Sequence, residues 1–372
     1  MKKIKILLVI RSLFIGGAER QWVLLAKGLA QMQEVELLLC TFYQGGQLEN
    51  EIAGIPHICL NKKGKGDFLF LWRYRQIIKS FNPSCIYAFM PDSNLFSLFA
   101  SASLKIPVIW GFRSSNIEIK NLSLFSKLYF YAQKLFSPKA AAIICNSNHA
   151  IDFYQNMGYC MQKAKVIYNG IDTQYFTLQD ARHLKETLDI LQDSFVFGIS
   201  ARMDKVKDYP LLAKGAREIL PKHPKVIFIA IGKINPEILQ ECQNILGEYQ
   251  KRFLFLGIQK EVEQFYSLFD CIISTSYTES FSNSIAEAMA CECIPLVSDA
   301  GESKVIANFG QSYSYIFPPK DLQSFCAGLE SVLNLEKDKL QIAKKNARLH
   351  ILNNFSVEKM VKDTLEVLKK CL

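Results

Sequence analysis

Thr278-Glu279-Ser280-Phe281-Ser282-Asn283-Ser284-Ile285-Ala286-Glu287-Ala288-Met289-Ala290 begins just after the apolar run 271–275, and Cys293-Ile294-Pro295-Leu296-Val297-Ser298-Asp299-Ala300 follows it closely. The run has the length and β-branched content of a buried strand. Glu279 therefore falls on a loop at a strand's carboxyl end, the edge at which open α/β sheets take ligands. Short polar residues then give way to Ile285-Ala286-Glu287-Ala288-Met289-Ala290, which reads as a helix starting inside the motif and aiming its amino terminus at the same edge. Two carboxylates, Glu279 and Glu287, flank one crevice. Ser284 and Glu287 also have the spacing of a capping box, in which the glutamate returns to the first amide of its helix, and the residues alone satisfy both readings.

Upstream, strand and helix patterns alternate. Strands are expected over 195–200, 226–232 and 253–257, with helices reaching 220 and over 261–268. Arg202 and Lys207 leave the first of these strands on a short loop, close enough to reach one anion together. In the first half, strands are expected over 3–10, 35–40, 85–89, 107–111 and 141–145, and helices over 18–31, 68–81 and 94–103. This alternation specifies a doubly wound parallel α/β sheet. Gly16 and Gly17 stand between the first strand and its helix, where paired glycines let backbone amides approach a phosphate or a sugar. The dinucleotide fingerprint Gly-x-Gly-x-x-Gly is absent, and the second strand runs into Thr41-Phe42-Tyr43 rather than an acid. Asp92, Arg113 and Asn116 fall at strand carboxyl ends of this half. Arg113 is a candidate contact for an acceptor phosphate or sugar, the alternative being a local pairing with a carboxylate.

At 372 residues, 49% of them apolar, the chain is long enough for two cores. It holds no run of 18 apolar residues. Met1-Lys2-Lys3 precedes an apolar stretch that Arg11 ends without a small-residue cleavage site, so a cytoplasmic chain is expected. The eleven cysteines lie mostly in apolar runs and show no metal or redox spacing, which reads as buried, reduced core. The net charge of +9 is uneven: residues 1–178 hold 20 Lys and Arg against 10 Asp and Glu. A basic first half suits an anion, whether nucleic acid, an anionic membrane leaflet or a phosphate-bearing acceptor, and equally suits a hydrated soluble face. Within it, residues 120–139 carry lysines at 120, 127 and 134 among leucines and aromatics. That composition fits a helix lying in a membrane surface, or one whose apolar stripe packs on the sheet while its lysines face water.

Two glutamates separated by seven residues, joined by Ser-Phe-x-Asn and followed by Glu-Ala-Met-Ala-Cys-x-x-x-Pro, resemble the nucleotide-sugar site of retaining glycosyltransferases of family 4. Gly16-Gly17-Ala18-Glu19-Arg20 is similar to that family's first strand-to-helix loop, and Val166-Ile167-Tyr168-Asn169-Gly170-Ile171-Asp172 to the phrase that closes its first domain. Ser280 and Cys293 stand where the family usually has glycine, a departure that bears on fine sugar geometry. The resemblance spans nearly the whole chain and implies the GT-B fold, two Rossmann-like domains facing each other across a cleft. Residues 1–176 would form the acceptor-side domain and 177–355 the nucleotide-sugar domain, with a last helix over about 356–372 crossing back onto the first.

What the resemblance implies about residues is equally specific. Glu287 grips the nucleotide ribose and Glu279 faces the donor sugar. Arg202 and Lys207 hold the diphosphate, Gly257 and Ile258 lie beside the base, and Gly16 and Gly17 lie under the phosphates. Ser280, Phe281, Ser282 and Asn283 complete the donor contacts, with Arg113, Asn116 and Asp92 on the acceptor side. The chain has no Asp-x-Asp triad for a divalent ion, so no metal is expected and the cations serve instead. The expected activity is transfer from a nucleotide sugar, by family prevalence a UDP-sugar, to a glycan or polyprenyl-diphosphate-linked acceptor in capsule or lipopolysaccharide synthesis, at the inner face of the membrane. A similar two-domain epimerase or phosphorylase is the alternative. A nucleic-acid binder would need a recognition motif that the chain does not carry.

Overall fold

The computed structural model describes residues 3–64, 66–67, 69–115, 123–310 and 315–372. The chain divides into two compact units, Met1–Gly170 with Val357–Leu372, and Ile171–Ser356.

The first unit contains, in order, β1 (Ile4–Ile10), α1 (Gly17–Ala30), β2 (Val35–Thr41), β3 (His57–Cys59), α2 (Leu69–Phe81), β4 (Cys85–Phe89), α3 (Pro91–Ala100), β5 (Val108–Phe112), α4 (Leu124–Phe136), β6 (Ala142–Cys145), α5 (Asn148–Asn156) and β7 (Ala164–Val166). Among the described residues the strands pair in the order β3-β2-β1-β4-β5-β6-β7, all parallel. Every residue of β4, β5 and β6 is buried, as a parallel sheet covered on both faces requires. Trp22, Leu25 and Leu29 of α1 cover one face together with Met360, Val361, Leu365 and Leu368 of the terminal helix Val357–Lys369. Phe70, Tyr74 and Ile78 of α2 lie in the core on the other face, with Trp110 and Phe130. The chain winds outward from β1 through β2 to β3, then returns to β4 on β1's other side, so the order reverses between β1 and β4.

The second unit repeats the plan with α6 (Arg182–Thr187), β8 (Phe195–Ser200), α7 (Tyr209–Ile219), β9 (Val226–Ile231), α8 (Pro236–Leu246), β10 (Phe253–Gly257), α9 (Val262–Leu268), β11 (Cys271–Ser274), α10 (Asn283–Ala290), β12 (Ile294–Ser298), α11 (Ser303–Ala307), β13 (Tyr315–Phe317), α12 (Leu322–Leu333) and α13 (Lys337–Asn354). Its order is β10-β9-β8-β11-β12-β13, with the reversal between β8 and β11. Phe197, Phe228 and Phe253 stack across β8, β9 and β10 with ring centroids 5.0 and 5.5 Å apart, a cross-strand ladder that helps pin the register.

Two local departures from the sequence expectations have plain causes. α3 begins at Pro91 rather than near Asn94, because proline's missing N–H costs nothing at a first helical position; Asp92 thus sits in the first helical turn and not in a loop. The three-residue strands β3 and β7 are too short to show a period. Among the described residues no helix is long and apolar enough to cross a membrane.

Candidate functional site

In open α/β sheets the reversal of strand order leaves a crevice at the strands' carboxyl ends. In the second unit that crevice lies between the loops that follow β8 and β11. Thr275, just past β11, donates its hydroxyl to the carbonyls of Lys207 and Asp208 at 2.7 and 3.1 Å, and the Tyr277 amide donates to the Val206 carbonyl at 2.9 Å. The two loops are thereby tied together. Asp208, in the left-handed region at φ +46°, caps α7 by accepting from the Leu211 amide. Burial pushes its carboxyl pKa up.

These ties bring Lys207 and Glu279 into contact, the Lys207 ammonium donating to Glu279 Oε1, with both side chains mostly buried. Ser276 donates to the same oxygen at 2.8 Å. The carbonyl of Ser276 accepts from Ser298 at the end of β12, at 2.6 Å. The loop after β12 then presses on the Glu279 backbone. A Cβ on Gly301 would lie 1.7 Å from the Glu279 carbonyl oxygen, and Gly301 has φ +55°, so only glycine fits there.

Glu287 is held differently. α10 takes Ser282 as its N-cap, without a side-chain capping bond, so Ser284 lies inside the helix and the capping box is not its frame. The Tyr266 hydroxyl, on α9, lies 3.0 Å from Glu287 Oε2 and 3.0 Å from Ser200 Oγ, at the end of β8. An ionised carboxylate only accepts, and a phenol has one hydrogen; Tyr266 therefore donates to Glu287 while Ser200 supplies its own hydrogen. Burial first, and the Glu287 charge second, push the Tyr266 pKa far up, keeping it a donor. Tyr266, Ser276 and Gly301 were not singled out from sequence. Tyr266 reads as one more buried aromatic, and only Gly301, beside Ala300 after a strand, carries a turn signal.

The remaining expected residues are less concentrated. Arg202 shares the loop of Lys207, but its guanidinium is exposed and lies 3.7 Å from Asp204. Gly257 ends β10 at φ +71°, its carbonyl accepting from the Gly232 amide at 2.8 Å, and Ile258 beside it is exposed. Phe281 and Ser282 are buried, Phe281 packing 5.7 Å from the Phe355 ring, while Ser280 and Asn283 are partly buried.

In the first unit, Gly16 is the extended N-cap of α1 and Gly17 its first residue. Arg113 is partly buried and turned onto the sheet, donating to the Tyr87 hydroxyl at 2.9 Å and lying 4.3 Å from the Phe89 ring centroid, and among the described residues it pairs with no carboxylate. Among the described residues its buried Nε has no hydrogen-bond partner. Asp92 is mostly buried and lies 3.6 Å from Arg11. Burial raises its pKa, opposed chiefly by the Arg11 charge. Asn116 lies outside the described residues. All eleven cysteines are free, and burial pushes Cys85, Cys145, Cys242 and Cys291 up to about 12, which leaves them inert thiols. Among the described residues no group of three or more His, Cys, Asp or Glu side chains could hold a metal ion.

Comparison with known proteins adds a family context. Residues 15–175 match the model of Glycosyltransferase Family 4, and residues 180–350 that of Glycosyl transferases group 1. The chain is 24% identical to the Campylobacter jejuni N-acetylgalactosamine-N,N'-diacetylbacillosaminyl-diphospho-undecaprenol 4-alpha-N-acetylgalactosaminyltransferase, over 98% of this chain and 99% of that protein. Its fold is similar to Anabaena HepE in a crystal structure with UDP, at a TM-score of 0.83 and 21% identity over 99% of this chain and 100% of the other. A glycosyltransferase from Rickettsia africae gives a TM-score of 0.82 at 20% identity, covering 100% and 99% of the two chains.

Proposed function

The chain belongs to the glycosyltransferases, family 4 in its first half and group 1 in its second, and from that membership we propose that it is a retaining, metal-independent transferase. It moves a sugar from a nucleotide-diphosphate sugar, a uridine one, to a glycan or lipid-linked acceptor in cell-surface polysaccharide synthesis. The observation that carries the donor site is the meeting of Lys207 with Glu279 at the strand reversal of the second unit, where Tyr266 also aims Glu287. The UDP in the HepE crystal and the diphospho-undecaprenol in the Campylobacter enzyme's name support the choice of donor base and of a lipid-linked acceptor.

Breaking a glycosyl–diphosphate bond requires that negative charge on the departing diphosphate be stabilised while the sugar becomes cation-like. Lys207 spends one of its three N–H donors on Glu279 and keeps two for phosphate oxygens. Arg202, exposed and only loosely paired, swings onto the same diphosphate. Charge-assisted hydrogen bonds of this kind contribute about 1.5–3 kcal/mol each. Glu279, anchored by Ser276 and Lys207, orients the donor sugar; Glu287 accepts from the ribose hydroxyls. The acceptor oxygen bonds to the anomeric carbon as the carbon–phosphate oxygen bond breaks, and its proton passes to the leaving phosphate, so no protein nucleophile is needed. Residues 1–176 serve the acceptor and 177–355 the donor.

Thermal-shift screening against UDP, GDP and ADP sugars tests the donor. A ligand at 100 times its Kd adds about 2.7 kcal/mol, roughly 5–10 °C for a unit of this size. Transfer of ¹³C-sugar from the best donor to an acceptor then tests the reaction. Donor turnover or exchange without any acceptor would instead support an epimerase or a phosphorylase.

A further inference from the structure

The first unit has its own crevice at its strand reversal. A cavity of about 430 Å³ there is bordered by Arg11, which follows β1, by Met90 and Asp92, which follow β4, and by Tyr43, Lys62 and Tyr129. Met90 is a non-glycine residue at φ +78°, the kind of strained backbone that concentrates at ligand sites. Lys62 is buried, its ammonium 5.5 and 5.1 Å from the Tyr43 and Phe70 ring centroids and donating to the Gly64 carbonyl. Arg11 lies 5.4 Å from the Tyr43 ring centroid and 3.6 Å from Asp92. Two cations against one carboxylate leave the cavity positive.

Phe125 also borders a second, apolar cavity of about 510 Å³ with Leu124, Lys127, Leu128 and Tyr131. Packing against α3 and the core accounts for only one side of α4, where Phe130 and Gln133 are buried. The other side leaves Leu124 80%, Leu128 62%, Tyr131 55% and Leu135 73% exposed. From Leu124 to Leu135 this apolar face runs roughly 16 Å. α4 carries Lys127 and Lys134 and no acidic residue, in a unit with 24 Lys and Arg against 12 Asp and Glu. Apolar area of that extent beside a cationic cavity is an amphiphile's complement. A flat membrane surface would reach the exposed lysines but not the buried Lys62; a head group entering the cavity reaches both Lys62 and Arg11.

We propose that this cavity and the outer face of α4 form one site for an amphiphile, with a phosphorylated head on Arg11 and Lys62 and a long hydrocarbon chain along Leu124, Leu128, Tyr131 and Leu135. Resting on the transferase reading, this amphiphile is the sugar acceptor, and Asp92 accepts from a hydroxyl of its head.

The test measures binding of geranylgeranyl diphosphate to the full chain by calorimetry, with inorganic pyrophosphate and geranylgeraniol as partial ligands. The lipid diphosphate should bind at least about tenfold more tightly than either part. Arg11→Gln with Lys62→Met should reduce it to the level of the alcohol, and Leu128→Ser with Leu135→Ser to that of pyrophosphate. Stabilisation by UDP should survive in both variants, which shows that they fold. Equal affinity for pyrophosphate and the lipid diphosphate would overturn the proposal. So would capture of the wild type and the Lys62→Met variant alike by phosphatidylglycerol vesicles, which would make α4 a general membrane contact. A dimer that Leu128→Ser dissociates would make it a self-association face, with the same consequence. Lipid selectivity without any UDP binding would sink the donor assignment and leave this site standing.

Discussion

Tyr266→Phe removes one oxygen and keeps the buried ring. In the wild type that oxygen donates to Glu287 at 3.0 Å and accepts from Ser200 at 3.0 Å. A hydrogen bond to a charged group is worth about 1.5–3 kcal/mol, and every 1.4 kcal/mol is tenfold. If Glu287 must be aimed to grip the nucleotide, the UDP Kd should rise roughly 10- to 150-fold. The same deletion in a purely structural tyrosine would appear only as lost stability, about 2–4 °C in Tm for each kcal/mol. Calorimetric titration with UDP, alongside melting of the unliganded protein, separates the two. Ser200→Ala, which leaves the Tyr266–Glu287 bond intact, should have the smaller effect on Kd. A Tyr266→Phe variant that melts lower but binds UDP and turns over as the wild type does would refute the reasoning.

Four other outcomes follow from the same geometry. Gly301→Ala forces a Cβ against the Glu279 carbonyl at positive φ and should cost about 1–3 kcal/mol or more, seen as a lower Tm with reduced transfer. Glu287→Gln and Arg202→Ala should each lose nearly all transfer while circular dichroism stays native; full activity in either would remove that residue from the site. Transfer should persist in EDTA, and abolition with rescue by magnesium would overturn the metal-independent reaction. Burial raises the Asp92 pKa above its unfolded value, so its ionisation costs stability at pH above the folded pKa, and that cost vanishes below the unfolded one. Asp92→Asn should therefore melt higher than the wild type at pH 7, by a margin that shrinks as pH falls through the carboxylate range; an equal margin at both ends would contradict this.

The alternation of apolar runs and helical spacing located the parallel sheets because strands buried on both faces must be almost wholly apolar, as in 4–10 and 85–89. It did not reveal β3 and β7, three residues each, whose partners rather than their own period make them strands. Glu279 and Lys207 stood out as charged residues on loops that follow apolar strands, and Glu287 as a carboxylate in the helix that opens inside the motif. Their arrangement did not. Ser284-x-x-Glu287 has the spacing of a cap, and only the start of α10 at Asn283, with Tyr266 reaching Glu287 from another helix, shows otherwise.

By itself, then, the sequence determined the strand–helix rhythm, the family signature around Glu279 and Glu287, and the basic bias of the first half, since each is a property of spacing or composition along the chain. Tertiary structure alone decided that Lys207 meets Glu279, that Arg113 is turned inward onto Tyr87 and Phe89, and that the apolar stripe of α4 faces outward beside a cationic cavity. Those facts depend on which strands become neighbours and which face a helix finds already occupied, and long-range packing settles both.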